Sequence, residues 1–222
     1  MALNAAEEES IEAVRKWWDE NGKFLITVVV CGAVIWGGWT FWQSSRNATA
    51  DAASDLYEEI LVLVAVEPGT EVSTGDSSRV MELAQELKSD HSASVYALYG
   101  ALFSAQQAVI AGDLDSAEQE LQWLLDNTKD GMFSRTDEGL ILTANLRLGR
   151  VILAMGDSQR ALDLIDGINP RTFEADFAEL RGDIYVDLGR TVEAKDVYTA
   201  AQQAGSSSAF LQMKLDELAS DG

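Results

Sequence analysis

The chain has 222 residues, enough for one ordinary domain with a sizeable core plus an attachment segment. Its 16 Lys and Arg against 37 Asp and Glu leave a formal charge of −21, which argues against nucleic acid as a partner and repels anionic lipid headgroups. The single cysteine, Cys31, rules out an intrachain disulfide and a Cys-based metal site, so the compartment has to be read from topology.

The first feature in chain order is an apolar run. From Phe24 to Trp42, 19 residues (FLITVVVCGAVIWGGWTFW) carry no charged side chain. At about 1.5 Å per residue they form a helix of roughly 28 Å, close to the bilayer hydrocarbon thickness of about 30 Å. Phe24, Leu25, Ile26, Val28, Val29, Val30, Val34, Ile35 and Phe41 together favour insertion by roughly 3 to 5 kcal/mol, with no ionised residue to offset them. A cleaved signal is one competing reading, since Ala48-x-Ala50 in "NATADAAS" offers a small-residue site. A signal's apolar core is only about 7 to 15 residues, however, and Trp36, Trp39 and Trp42 stand near the far end of the run, where an aromatic belt lies at a membrane interface. A buried core helix is the third reading. The expectation is a retained anchor over 24–42. Arg15, Lys16 and Lys23 precede it and Arg46 alone follows closely, so 1–23 is expected to be a cytoplasmic tail and 43–222 to lie outside the cytoplasm. Ala33 and Gly37 give a small-xxx-small spacing that lets another membrane helix approach.

Beyond the anchor, helix-period apolar residues dominate and only Pro68 and Pro170 interrupt. The run "ILVLVAV" at 60–66 has strand composition, yet Leu56, Ile60, Leu63 and Val64 share a helical face, which predicts a helix from Asp51. The stretch "EPGTEVSTGDSSR" at 67–79 reads as a loop. Three segments then repeat: "GDLDSAEQEL" from Gly112, "GDSQRALDLI" from Gly156 and "GRTVEAKDVY" from Gly189. Each glycine suits a left-handed helix cap, and the alanine five residues later (Ala117, Ala161, Ala194) suits a tight helix crossing. Seven residues before the glycines stand Ala105, Gly149 and Gly182, and nine after stand Leu121, Ile165 and Tyr198. Small, Gly, Ala, large in that order is similar to the tetratricopeptide repeat, a helix-turn-helix unit of about 34 residues. The glycine spacings of 44 and 33 place an insertion in the first interval, at "NTKDGMFSRTDEG", 127–139. An all-α repeat domain is therefore expected, with helices near 77–90 and 208–219 as caps. An unrelated helical bundle is the alternative.

Few residues along the same stretch are suited to chemistry. His91 is the sole histidine, and Ser92 and Ser94 beside it read as a helix cap rather than a triad. "DLDSAE" at 113–118 begins like a calcium loop but has Ala117 and Glu118 where an oxygen ligand and the turn glycine belong. No cofactor, metal or catalytic site is expected. One charge pattern does raise a binding hypothesis. Asp176, Glu179, Asp183 and Asp187 share a helical face that lies on the inner side of the repeat register, with Arg150 in the preceding unit and Tyr99, Leu102 and Gln106 in the first. These eight residues are the candidate groove for unfolded or partly folded polypeptides, acidic toward its C-terminal end. A solvated face in a chain that is acidic throughout, as in a salt-adapted protein, is the competing reading.

The order of features resembles the YfgM-like ancillary subunits of the bacterial SecYEG translocon. The likeness is sharpest at Glu12-Ala13-Val14, Arg15-Lys16, Trp17-Trp18, Glu20-Asn21-Gly22-Lys23, Gly38-Trp39 and Trp42, and continues through "NLRLGRVILAMGD" and "ADFAELRGDIYVDLGR". It implies a single-pass inner-membrane protein with a periplasmic tetratricopeptide-like domain. Its implied partners are the translocon and a membrane-anchored periplasmic chaperone of the prolyl-isomerase-like type, and its implied role is to help secreted proteins as they emerge, without catalysis. Under this resemblance Arg15, Lys16, Trp17, Trp18, Lys23, Ala33, Gly37, Trp39 and Trp42 become candidates for anchoring and translocon contact. A general envelope scaffold for cell-wall or division machinery, and a periplasmic enzyme, are the readings from other classes.

Overall fold

The computed structural model describes residues 5–65, 72–129, 136–206 and 209–220. Among them every regular element is helical: α1 (Ala5–Val64), α2 (Thr74–Asp90), α3 (Val95–Ala111), α4 (Leu114–Asp126), α5 (Glu138–Ala154), α6 (Ser158–Asp166), α7 (Glu174–Asp187), α8 (Thr191–Gln203) and α9 (Ala209–Ser220), with a 3₁₀ turn at Arg171–Phe173. The chain divides into two compact units, Met1–Asp51 and Ala52–Gly222.

In the first unit the described chain is α1 alone. Trp17, Trp18, Val28, Val30, Val34, Ile35, Trp36, Trp39 and Phe41 are all exposed. Among the described residues no helix is long and apolar enough to cross a membrane. Within the expected anchor, the side chains of Phe24, Leu25, Ile26, Val29 and Trp42 lie outside the described residues. The helix also does not break at the expected anchor boundary after Trp42, and the second unit begins at Ala52.

The second unit is a run of helical hairpins. Its first pair is the end of α1 against α2, where Ala53 and Ile60 are buried with Val80, Leu83, Ala84 and Leu87. "ILVLVAV" is thus helical as far as Val64, and the face expected from Leu56, Ile60, Leu63 and Val64 is the one that packs. The loop expected over 67–79 is shorter than its composition indicates. Ser73 caps α2, its hydroxyl accepting from the Asp76 amide at 3.1 Å, so Thr74 to Arg79 are helical. Ser and Gly, abundant in loops, here begin a helix because one side chain takes up an otherwise orphaned amide.

The next pairs are α3 with α4, α5 with α6 and α7 with α8. Gly112, Gly156 and Gly189 have φ of 78°, 84° and 71°, the left-handed conformation that the repeat pattern calls for. Asp113 and Asp157 follow the first two and cap the next helix by accepting from the amides of Ser116 and Arg160. Arg190 takes that place in the third unit without a side-chain cap, and lays its guanidinium 4.3 Å from the Tyr185 ring centre. Ala117, Ala161 and Ala194 are fully buried. A methyl group built on Gly149 would lie 3.3 Å from Ile165 and 2.9 Å from Leu180, and one on Gly182 only 2.2 Å from the Tyr198 ring. The small positions are therefore where the second helix of a pair drives its bulky residue against the first.

The insertion after α4 is closed at its base. The Lys129 amide donates to Thr136 Oγ1 at 2.7 Å and the Thr136 amide to the Lys129 carbonyl at 2.8 Å. A fourth left-handed glycine, Gly205 at φ 99°, follows α8 outside the three-glycine repeat pattern. It lets the chain turn into α9, whose Leu211 is buried with Ala194, Tyr198 and Ala201.

Candidate functional site

Two recesses open beside the first helices of the pairs. The first lies between α3, α4 and α5 and has a volume of about 290 Å³. Ala105, Val109, Leu114, Leu121, Val151 and Ala154 form its apolar wall; Gln106, Arg147 and Arg150 supply its polar groups. Of the expected groove residues, Gln106 and Arg150 meet here. Tyr99 and Leu102, on the same helix as Gln106, are half-buried in packing instead: Tyr99 stands 5.6 Å from the Tyr57 ring, and Leu102 rests on the main core. Sequence reasoning missed Arg147, although its position three residues before Arg150 on one helix was the available signal. Burial, aided by the charge of Arg150, pulls the Arg147 pKa below its ordinary value.

The second recess, about 380 Å³, lies between α5, α7, α8 and α9 and includes Asp183, Asp187, Tyr198 and Lys214. The four carboxylates expected to form an acidic groove differ sharply here. Asp176 is exposed. Glu179 and Asp183 both receive Lys214 of α9, at 3.0 and 2.6 Å. Asp183 also accepts a hydrogen bond from the Tyr198 hydroxyl at 2.6 Å, and Asp187 accepts one from the Ser158 hydroxyl. Most of the row is thus committed to holding α6, α8 and α9 in place. Lys214 is the only basic residue after Lys195, which was the clue to its role. Burial works against its charged form, but the hydrogen bonds and charges of Asp183 and Glu179 outweigh this and raise its pKa. The Tyr198 hydroxyl is pushed up by burial and by its bond to Asp183.

The remaining candidates sit on simpler ground. His91 caps α2, its backbone amide donating to the Leu87 carbonyl, while Ser94 caps α3 by accepting from the Tyr96 amide. Asp113 of the calcium-like stretch is likewise a helix cap. Among the described residues no group of three or more His, Cys, Asp and Glu side chains converges as metal ligands. On α1, Arg15, Lys16, Trp17, Trp18, Lys23, Ala33, Gly37 and Trp39 are exposed, and a methyl group on Gly37 would meet nothing within 4 Å. The Trp42 side chain lies outside the described residues.

Several known proteins are similar to the chain. A protein of Haemophilus influenzae named ancillary SecYEG translocon subunit is 29% identical over 220 residues, covering 98% of this chain and 100% of its own. One of Escherichia coli with the same name is 28% identical over 221 residues, covering 98% and 99%. A third, from Neisseria gonorrhoeae, is 29% identical over 226 residues, covering 98% and 100%. The resemblance drawn from the anchor motifs is to the same kind of protein. A crystal structure of a tetratricopeptide repeat protein from Parabacteroides merdae superposes with a TM-score of 0.51 at 15% identity, over 75% of this chain and 57% of that one, which shows the fold. Residues 15–220 match the family described as tetratricopeptide repeat-like domain, and with its glycine turns, buried alanines and small-to-large crossings the chain belongs to that family.

Proposed function

We propose that the chain is a non-enzymatic ancillary subunit of the bacterial Sec translocon, anchored in the inner membrane by residues 24–42 with 1–23 cytoplasmic and 43–222 periplasmic. The observation that carries this reading is the end-to-end match to relatives named as such subunits, each covered over 99% or more of its length in the Haemophilus and Escherichia cases. The anchor reading rests on the uncharged run and on the bias of Arg15, Lys16 and Lys23 to its N-terminal side. In it, Trp17, Trp18, Trp39 and Trp42 sit at the interfaces, and Ala33 with Gly37 faces a neighbouring membrane helix. The helical repeats serve as a docking surface for a membrane-anchored periplasmic chaperone of the prolyl-isomerase-like type and for secreted polypeptides as they emerge.

Co-purification from mildly solubilised membranes is the test. Recovery of translocon subunits with the tagged chain is the expected result, and their absence, with cell-wall or division proteins recovered instead, would transfer the reading to an envelope scaffold. Alkaline extraction tests the anchor separately: the chain is expected to stay with the membrane pellet, and release into the supernatant would sink the single-pass topology.

A further inference from the structure

The recess beside α9 already holds a cation, and that cation belongs to the chain itself. Lys214 stands 3.0 Å from Glu179 and 2.6 Å from Asp183, and its ammonium lies 5.6 Å from the Tyr198 ring centre. Two carboxylates and an aromatic ring suit an ammonium brought by another polypeptide equally well. Leu153, Val186 and Asp187 continue the same recess. α9 therefore forms one wall of it and places its own lysine among the carboxylates.

α9 is also lightly held. Leu211 is fully buried against Ala194, Tyr198 and Ala201, whereas Leu215 and Leu218 are only partly covered. A helix of 12 residues is marginal by itself, so detachment returns chain entropy, and elements with few buried contacts are those that open locally. Among the described residues α9 has no second helix to complete a pair. Nor does it match a helix made only to close a stack, whose outer face is polar: Phe210 and Met213 are 71% and 65% exposed.

We propose that the Glu179 and Asp183 pair is a binding site for the lysine of an amphipathic helical segment, and that α9 is its internal occupant, released when such a segment takes its place. α9 itself specifies the segment. Leu211, Lys214, Leu215 and Leu218 set a lysine with apolar residues three before, one after and four after. The site rests on the reading of the repeats as a docking surface for polypeptides, and it adds which segment is taken and what holds the site shut until then.

Fluorescence anisotropy on the full-length chain in non-ionic detergent provides the measurement. The labelled peptide has the pattern Leu-x-x-Lys-Leu-x-x-Leu, with alanine and serine at x, and its counterpart has Met in place of Lys. Lys214→Glu brings a third carboxylate to the pair and unlatches α9. The lysine peptide is expected to bind this variant about tenfold or more tighter than the unaltered chain, because a site that is seldom open shows an affinity reduced by the open fraction. The Met peptide should show no such gain. Lys195→Glu, at an exposed position of α8, makes the same change of charge with α9 latched and should leave both affinities unchanged. Gln202 and Gln212 hydrogen-bond between α8 and α9 at 3.2 Å. Joining Gln202→Cys to Gln212→Cys with a short bismaleimide, in a Cys31→Ala background, ties α9 down and should abolish the gain of Lys214→Glu. No gain in Lys214→Glu, an equal gain in Lys195→Glu or with the Met peptide, or a gain that survives tying overturns the proposal and leaves α9 a structural cap. Circular dichroism monitors folding, and if Lys214→Glu unfolds the chain, Lys214→Gln with Lys195→Gln as its control carries the same comparisons. Translocon co-purification enters none of these outcomes, so the lysine site and the translocon reading fail separately.

Discussion

Gly182 and Tyr198 show how closely the repeat depends on single side chains. Tyr198 is fully buried, so its ring has nowhere to go when a methyl group appears 2.2 Å away. Gly182→Ala is therefore expected to destabilise by about 1 to 3 kcal/mol or more, the range for overpacking a tight core. Adding Tyr198→Leu should return part of the loss, which a double-mutant cycle of thermal unfolding would read as a favourable coupling. Two other glycines provide a contrast in backbone rather than packing. Gly156 holds φ 84° with nothing within 4 Å of an added methyl, so Gly156→Ala is expected to cost about 1 to 2 kcal/mol from the left-handed backbone alone. Gly167 has φ −77° and only ordinary contacts, so alanine there is expected to be neutral or to stabilise by about 0.4 to 1 kcal/mol. Equal losses at 156 and 167 would show that φ is not what selects glycine. Such positions were readable in sequence because positive φ and close approach each leave few residue choices.

At the scale of elements, Lys214 adds to the apolar packing of α9 at Leu211 by placing one cation between two carboxylates of α7. Lys214→Met is expected to cost about 1 to 2 kcal/mol, less than breaking a fully buried pair because the site keeps some solvent access. Faster amide exchange confined to α9 and the end of α8 would be its signature. Both Lys214 and Tyr198 have raised pKa values in the folded chain, from ordinary values of 10.5 and 10.0. The unfolded chain then gives up these protons first as pH rises. Their contribution is present in full below about pH 10 and is lost as pH climbs through the folded values. The fall in melting temperature between about pH 9 and about pH 11 should be shallower in a Lys214→Met, Tyr198→Phe variant. The pairing itself was not legible in advance. Spacing placed Asp176, Glu179, Asp183 and Asp187 on one face, but which neighbour covers a face depends on a contact 35 residues away in the chain. Asp176 and Asp187 are the exposed members of that row, and Asp187 still accepts from Ser158, so replacing all four carboxylates by amides would mix loss of binding with loss of structure. Asp176→Asn is expected to leave melting unchanged, and Asp183→Asn to lower it.

Across the whole molecule, contacts of charge run from one hairpin to the next. Lys88 of α2 reaches Glu120 of α4 at 2.7 Å, Arg160 of α6 reaches Glu118 of α4, and Arg181 of α7 reaches Asp166 at the end of α6. With side chains only 13% and 22% exposed, the Lys88 and Glu120 pair should resist salt, whereas the diffuse repulsion of a chain at −21 should not. Added sodium chloride is accordingly expected to raise the melting temperature, and a fall would mean that exposed ion pairs outweigh self-repulsion. The stacking order of the hairpins was legible from the three Gly and Ala registers; the start of α2 was not, because Ser73 and Gly75 have the composition of a turn. The reciprocal hydrogen bonds of Lys129 and Thr136 bear on a different question, how the family tolerates change. They pinch the chain shut on the near side of the insertion, so the length of what lies between is uncoupled from the register of the stack. Glycine and serine segments of different lengths placed between the two clasp residues should therefore differ in stability by only about 0.6 kcal/mol for each doubling of segment length, the loop-closure cost of a slack tether. The clasp makes this interval a place where one repeat protein can acquire a new surface without refolding the rest.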